Sequence, residues 1–175
     1  MTTRDDDYDG RPSMTAAPLT ILIAYDGSDP ARFAVEEAGR LFPGAAARVL
    51  TVWRSASRAA GAARVALPDA VIAQAVENLD KATEESAAST ADEGAELARQ
   101  AGLDGSPANQ RTDDSIWAAV LSYADEQQAA AIVVGSRGQS AVRSALLGSV
   151  SNGVVNNSRR SVVVVHPTDD EAPGS

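Results

Sequence analysis

The 175-residue chain has no cysteine, one histidine, one lysine (Lys81) and only 4% aromatic residues. Without cysteine there is no disulfide framework, thiolate nucleophile or cysteine-ligated zinc, and nothing calls for an oxidising compartment. His166 has no second imidazole or thiol to join it in a metal or nucleophile constellation and is expected to be structural. Apolar runs are short, such as the four valines between Ser161 and His166, well below the roughly 20 residues a membrane helix requires. Positive charge is also scarce. A formal net charge of -9 leaves no broad basic field to attract phosphate backbones or anionic lipid. Asp5, Asp6, Asp7 and Asp9 stand where an export signal needs basic residues followed by an apolar stretch. These absences predict a cytoplasmic protein with neither nucleic acid nor membrane as a partner.

What is present suffices for one domain with a sizeable core, since 44% of the residues are hydrophobic. Residues 1–17 and 168–175 are acidic, contain proline and glycine, and have little to bury, so both read as flexible tails around a domain at 18–167. Within the domain, apolar runs of strand length alternate with helix-period segments, as expected of βα units that build a parallel sheet covered on both faces. Strands are expected at Thr20 to Tyr25, Arg48 to Trp53, Ala129 to Val134 and Ser161 to His166. A short, polar edge strand at Ser106 to Thr112 is placed by alternation alone. Helices are expected over Ala31 to Leu41, Pro68 to Ala101 and the segment after Ser115, with a further helix opening at Leu146 or Gly148. Arg54 to Leu67 lacks a period and reads as a mobile loop.

Directly after the fourth strand comes Gly135-Ser136-Arg137-Gly138, and Gly148-Ser149-Val150-Ser151 follows at the opening of a helix. Glycines leave no Cβ to obstruct a ligand, so successive backbone N–H groups can converge on one anion. A helix N-terminus adds unpaired amides and a favourable dipole, and the Ser149 and Ser151 hydroxyls could add donors. The spacing is not that of a Walker A loop, because Lys81 lies far from these glycines. It is not the dinucleotide fingerprint either, because the first strand leads into Asp26-Gly27-Ser28-Asp29. In an open parallel sheet, ligands lie beyond the strand C-termini where strand order reverses, which places Asp26 and the glycine loop at one crevice.

Ile21-Leu22-Ile23-Ala24-Tyr25-Asp26-Gly27-Ser28, Ile132-Val133-Val134-Gly135-Ser136-Arg137-Gly138 and Leu147-Gly148-Ser149-Val150-Ser151 together resemble the universal stress protein family. The resemblance runs from about Pro18 to Pro167. It implies a five-stranded sheet in the order 3-2-1-4-5 and membership of the ATP-binding branch, with Mg or Mn accompanying the nucleotide. Carried onto this chain, it sets Ala24 and Val52 against the adenine, and Asp26 beside the ribose and phosphates or their metal. Gly135, Arg137, Gly138 and Ser140 surround the phosphates, and Gly148, Ser149, Val150 and Ser151 complete the cradle. The chain departs from the family where an aspartate commonly precedes the fourth strand, since Ala130 and Ala131 stand there.

No nucleophile, base and orienting group are spaced to form a catalytic set, and the family resemblance implies a nucleotide-dependent stress-response regulator whose bound state is read by a protein partner. A slow ATP hydrolase or phosphotransferase and a chaperone-like dimer with no nucleotide are the rivals. The uncharged run Ser161 to His166, an edge in the proposed order, predicts a homodimer through the fifth strands.

Overall fold

Ile21, Leu22 and Ile23 have no solvent exposure at all, as their unbroken apolar run requires of a strand covered on both faces. They form the centre of β1 (Thr20–Ala24) in a computed structural model that describes residues 19–57, 68–138 and 147–167. Both expected tails lie outside the described residues. β2 (Ala46–Arg54) and β4 (Ala131–Gly135) pair with β1 on either side, β3 (Asp104–Thr112) pairs with β2, and β5 (Ser161–Val165) pairs with β4. All pairings are parallel and the order is β3-β2-β1-β4-β5. The chain first winds outward one way from β1 and then crosses back to β4, so strand order reverses between β1 and β4.

Helices α1 (Asp29–Leu41) and α2 (Asp69–Gln100) cover one face, and α3 (Ile116–Glu126) and α4 (Ser149–Asn157) the other. The first core joins Ile21, Ile23 and Val133 to Ala34, Val35 and Ala38 of α1 and to Ala95 and Ala98 of α2. The second joins Leu22, Leu50, Ile132 and Val134 to Val120, Ala124 and Val154. Odd and even strand positions thus go to opposite layers, the period-two rule of a strand. α1 starts where the Ser28 hydroxyl accepts from the Ala31 amide, an N-cap worth roughly 1 kcal/mol. α2 presents Ala87, Ala91, Gly94, Ala95 and Ala98 to the sheet, and a Cβ on Gly94 would lie only 2.6 Å from the Tyr25 ring. That glycine allows α2 to lie close over the aromatic ring.

Several expected boundaries move. β3 is a full nine-residue edge strand beginning at Asp104, because its backbone pairs with β2 along its whole length despite polar side chains. Arg54 ends β2 instead of opening a loop, held by pairing with Thr112; of the expected mobile loop, residues 58–67 lie outside the described part. β4 begins at Ala131, and α4 begins at Ser149 with Gly148 as its N-cap.

Candidate functional site

At the C-terminal ends of β1, β2 and β4 lies a cavity of about 770 Å³, within the roughly 300–1,000 Å³ common for small-ligand sites. Ala24, Val52, Asp26, Gly135, Arg137, Gly138, Gly148, Ser149, Val150 and Ser151 all line it. Ser140, the remaining expected member, lies outside the described residues. Residues from four separate parts of the sequence therefore meet at the strand-order reversal.

The glycine-loop geometry is set by Ser136, which is fully buried. Its amide donates to the Val165 carbonyl at 2.7 Å, and its own carbonyl accepts the Gly148 amide at 2.7 Å and the Ser151 hydroxyl at 3.0 Å. One residue thus ties the end of β5, the glycine loop and the start of α4 together. The first α-helical bond of α4 runs from the Asn152 amide to the Gly148 carbonyl, leaving the amides of Ser149, Val150 and Ser151 ahead of it as the open helix end. The Ser151 hydroxyl also lies 3.1 Å from the Gly148 carbonyl. Its proton is shared between backbone acceptors, so Ser151 braces the loop, while Ser149 is exposed at the cavity.

Asp26 faces two ways. Its Oδ1 accepts from the Ser28 amide at 3.1 Å and the Ser28 hydroxyl at 2.6 Å, closing the turn that starts α1 around Gly27, whose φ is 78°. Its Oδ2 abuts Gly138, where a Cβ would come within 2.5 Å. The carboxylate and the glycine loop are thus in close approach, and a side chain at position 138 would have to displace the Asp26 carboxylate. Gly135 is similarly confined, with a Cβ there 2.8 Å from the Pro30 carbonyl oxygen.

Tyr25 holds the other flank of Asp26. Its hydroxyl donates to Glu93 at 2.7 Å, Glu93 pairs with Arg32 at 2.7 Å, and its carbonyl accepts the Thr51 hydroxyl at 3.0 Å. Burial, followed by the Glu93 hydrogen bond, pushes the phenol well above its ordinary range, so it remains a neutral donor. Sequence reasoning missed this network because Tyr25 and Glu93 are 68 residues apart. It also missed the cavity-lining residues Thr83, Ser86 and Thr90 of α2; their spacing of three and four was the available signal.

A second polar cluster fixes the segment leaving β2. Asp80 on α2 accepts from the Ser55 hydroxyl at 2.6 Å and the Ala56 amide at 2.7 Å, with Arg111 at 3.5 Å. The Ser55 and Ala56 hydrogen bonds, then Arg111, hold its pKa below the usual carboxylate range. With the folded pKa below the unfolded one, ionised Asp80 contributes stability above about pH 4 and loses that contribution as pH falls through the lower folded value. Asp80→Asn is expected to reduce the melting temperature more at pH 7 than at pH 3. An equal reduction at both would remove the ionised carboxylate from the explanation.

Together these features define an open, doubly wound α/β protein whose crevice at the reversal point combines a carboxylate, a glycine loop and a helix N-terminus. The universal stress protein family model matches residues 19–166, and the chain belongs to that family. Among solved structures, the universal stress protein UspA from Lactobacillus plantarum is 19% identical, with a TM-score of 0.63, over 85% of this chain and 99% of that one. A universal stress protein in complex with cAMP is 25% identical, with a TM-score of 0.53, over 86% and 98%. One from Archaeoglobus fulgidus in complex with dAMP is 22% identical, with a TM-score of 0.55, over 85% and 97%. No curated protein matches the chain. Among the described residues, no helix is long and apolar enough to cross a membrane.

Proposed function

We propose that this protein binds ATP or a related adenine nucleotide in the crevice and acts in the cytoplasm as a nucleotide-dependent stress-response regulator. The observation that carries this reading is the convergence of Asp26, Gly135, Gly138, Gly148 and the α4 N-terminus on one cavity. Ala24, Val52 and Val134 supply an apolar floor for the base, and the amides opening α4 supply donors for phosphate. The family relatives solved in complex with cAMP and dAMP support an adenine nucleotide as the ligand class.

The residues also fit an accompanying Mg²⁺ or Mn²⁺, which needs only one or two carboxylates when phosphate oxygens supply further ligands. Asp26, with Oδ2 against Gly138, is the residue that would hold it. Bound there, the metal would neutralise phosphate charge beside that carboxylate. The only lysine, Lys81, is not among the lining residues, so positioning is provided without the lysine that phosphoryl-transfer enzymes commonly use.

Calorimetry of wild type and Asp26→Ala with ATP tests the reading. The expected result is tight binding to wild type and about a tenfold or larger loss in the variant with magnesium, of order 1.4 kcal/mol or more. The loss should be smaller with metal-free ATP. An equal loss in both conditions would refute the metal role, and no binding to wild type would refute the nucleotide reading.

The regulator is further proposed to be a homodimer joined through β5, which among the described residues pairs with β4 alone. A protein partner would then read nucleotide occupancy on a surface shared by two crevices.

A further inference from the structure

The cavity is larger than the nucleotide cradle and saddles the crest of the sheet. Ala24, Val52 and Val134 belong to the α3–α4 layer, whereas Tyr25, Thr51 and Trp53 alternate onto the α1–α2 layer, yet all six line the same space. On the second side the wall is α2, where Thr83, Ser86 and Thr90 recur at intervals of three and four. With 32 residues, α2 is about 48 Å long, and apart from Ile72 its buried positions are confined to Ala87–Ala98. The preceding turns therefore stand beside the crevice rather than over the sheet.

Every lining side chain named on this side is uncharged. Most of their hydroxyl protons are committed: Tyr25 to Glu93, Thr51 to the Tyr25 carbonyl, Thr83 to the Leu79 carbonyl and Thr90 to the Ser86 carbonyl. These oxygens can still accept hydrogen bonds. Ser86, a solvent-exposed residue of α2, offers its hydroxyl at the cavity wall, and the indole Nε1 of Trp53 is buried without a partner among the described residues, on a residue only 7% exposed. An unmet buried donor beside a cavity is unfavourable until an acceptor arrives. An aromatic wall with hydroxyl groups and one buried, unpartnered indole N–H suits an uncharged ring bearing hydroxyl groups.

The phosphate end of the cradle abuts this side. Asp26 follows Tyr25 directly, Ala31 of α1 lines the cavity, and Gly135 packs against the Pro30 carbonyl. Resting on the nucleotide reading above, we propose that the α2 side is a second subsite for a sugar ring carried on the terminal phosphate. The preferred ligand class is then a nucleoside diphosphate sugar rather than a bare nucleotide.

Calorimetry of the full chain with ADP, ADP-ribose and ADP-glucose tests this, because the three differ only beyond the second phosphate. At least one sugar compound is expected to bind tenfold or more tightly than ADP, and comparing the two distinguishes a ribose from a hexose subsite. Binding of that compound should shift Trp53 emission further than ADP does. Ser86→Leu, which fills the α2 wall away from the cradle, should reduce the sugar advantage to less than about twofold while leaving ADP affinity unchanged. ADP binding with no advantage for either sugar would overturn the subsite alone, as would a Ser86→Leu variant that loses ADP and sugar affinity equally. Failure of all three compounds to bind would overturn the nucleotide reading and the subsite with it.

Discussion

Gly148→Val should abolish measurable nucleotide binding, a loss of at least a hundredfold, while the protein still folds. Gly148 has φ −71° and ψ 166°, which any residue can adopt. A Cβ there would meet the Arg137 Cα at 3.4 Å, the Ser136 carbonyl oxygen at 3.6 Å and the Ser151 Oγ at 3.7 Å, all ordinary contacts. The fold alone does not require glycine at this position. Valine's two further methyls, however, would fill the gap between the glycine loop and the open end of α4, where phosphate must approach the amides. Replacing glycine at an N-cap by an apolar residue costs about 1 kcal/mol, or roughly 2–4 °C in melting temperature for a chain of this size. Gly138→Val differs because its Cβ would strike Asp26 even without ligand. If Gly148→Val bound ATP as wild type does, the phosphate would have to lie elsewhere.

The second large effect concerns the β5 edge. Wild type is expected to sediment at twice the 18.0 kDa chain mass at micromolar concentration, and a Val162→Lys/Val164→Lys variant as a monomer. Among the described residues β5 has a strand neighbour only on its β4 side, and its run of four valines contains no charge, proline or bulge to discourage pairing. The same strand of a second copy, related by a two-fold axis, would satisfy the open backbone groups. Choice of position matters. Val165 is only 6% exposed and belongs to the core with Ile21 and Val133, so lysine there would test folding rather than association. Val162 and Val164 are half-buried on the α3–α4 side. A monomeric wild type would refute the pairing, and a circular dichroism spectrum unchanged in the variant would show that it still folds.

Much of the site was legible because its signals are local. The first strand could be read from the unbroken apolar run Ile21 to Ile23, and the cradle from glycines placed after one strand and before one helix. The strand alternation that sends Leu22 and Ile23 to opposite layers needs only the two-residue period of an extended chain. β3 was harder to read, because its register comes from nine backbone pairings with β2 rather than from apolar side chains.

The amino-acid order by itself determined the succession of strands and helices and the motif that meets at the crevice, since backbone preference, periodicity and the freedom of glycine act over a few residues. Only the tertiary structure decided the Ser136 hub, the commitment of the Ser151 hydroxyl to backbone carbonyls, the Tyr25–Glu93–Arg32 network and the α2 hydroxyl wall. Each depends on contacts between elements far apart in the chain, and hydrogen-bond partners at such separations are selected by packing rather than by any local pattern.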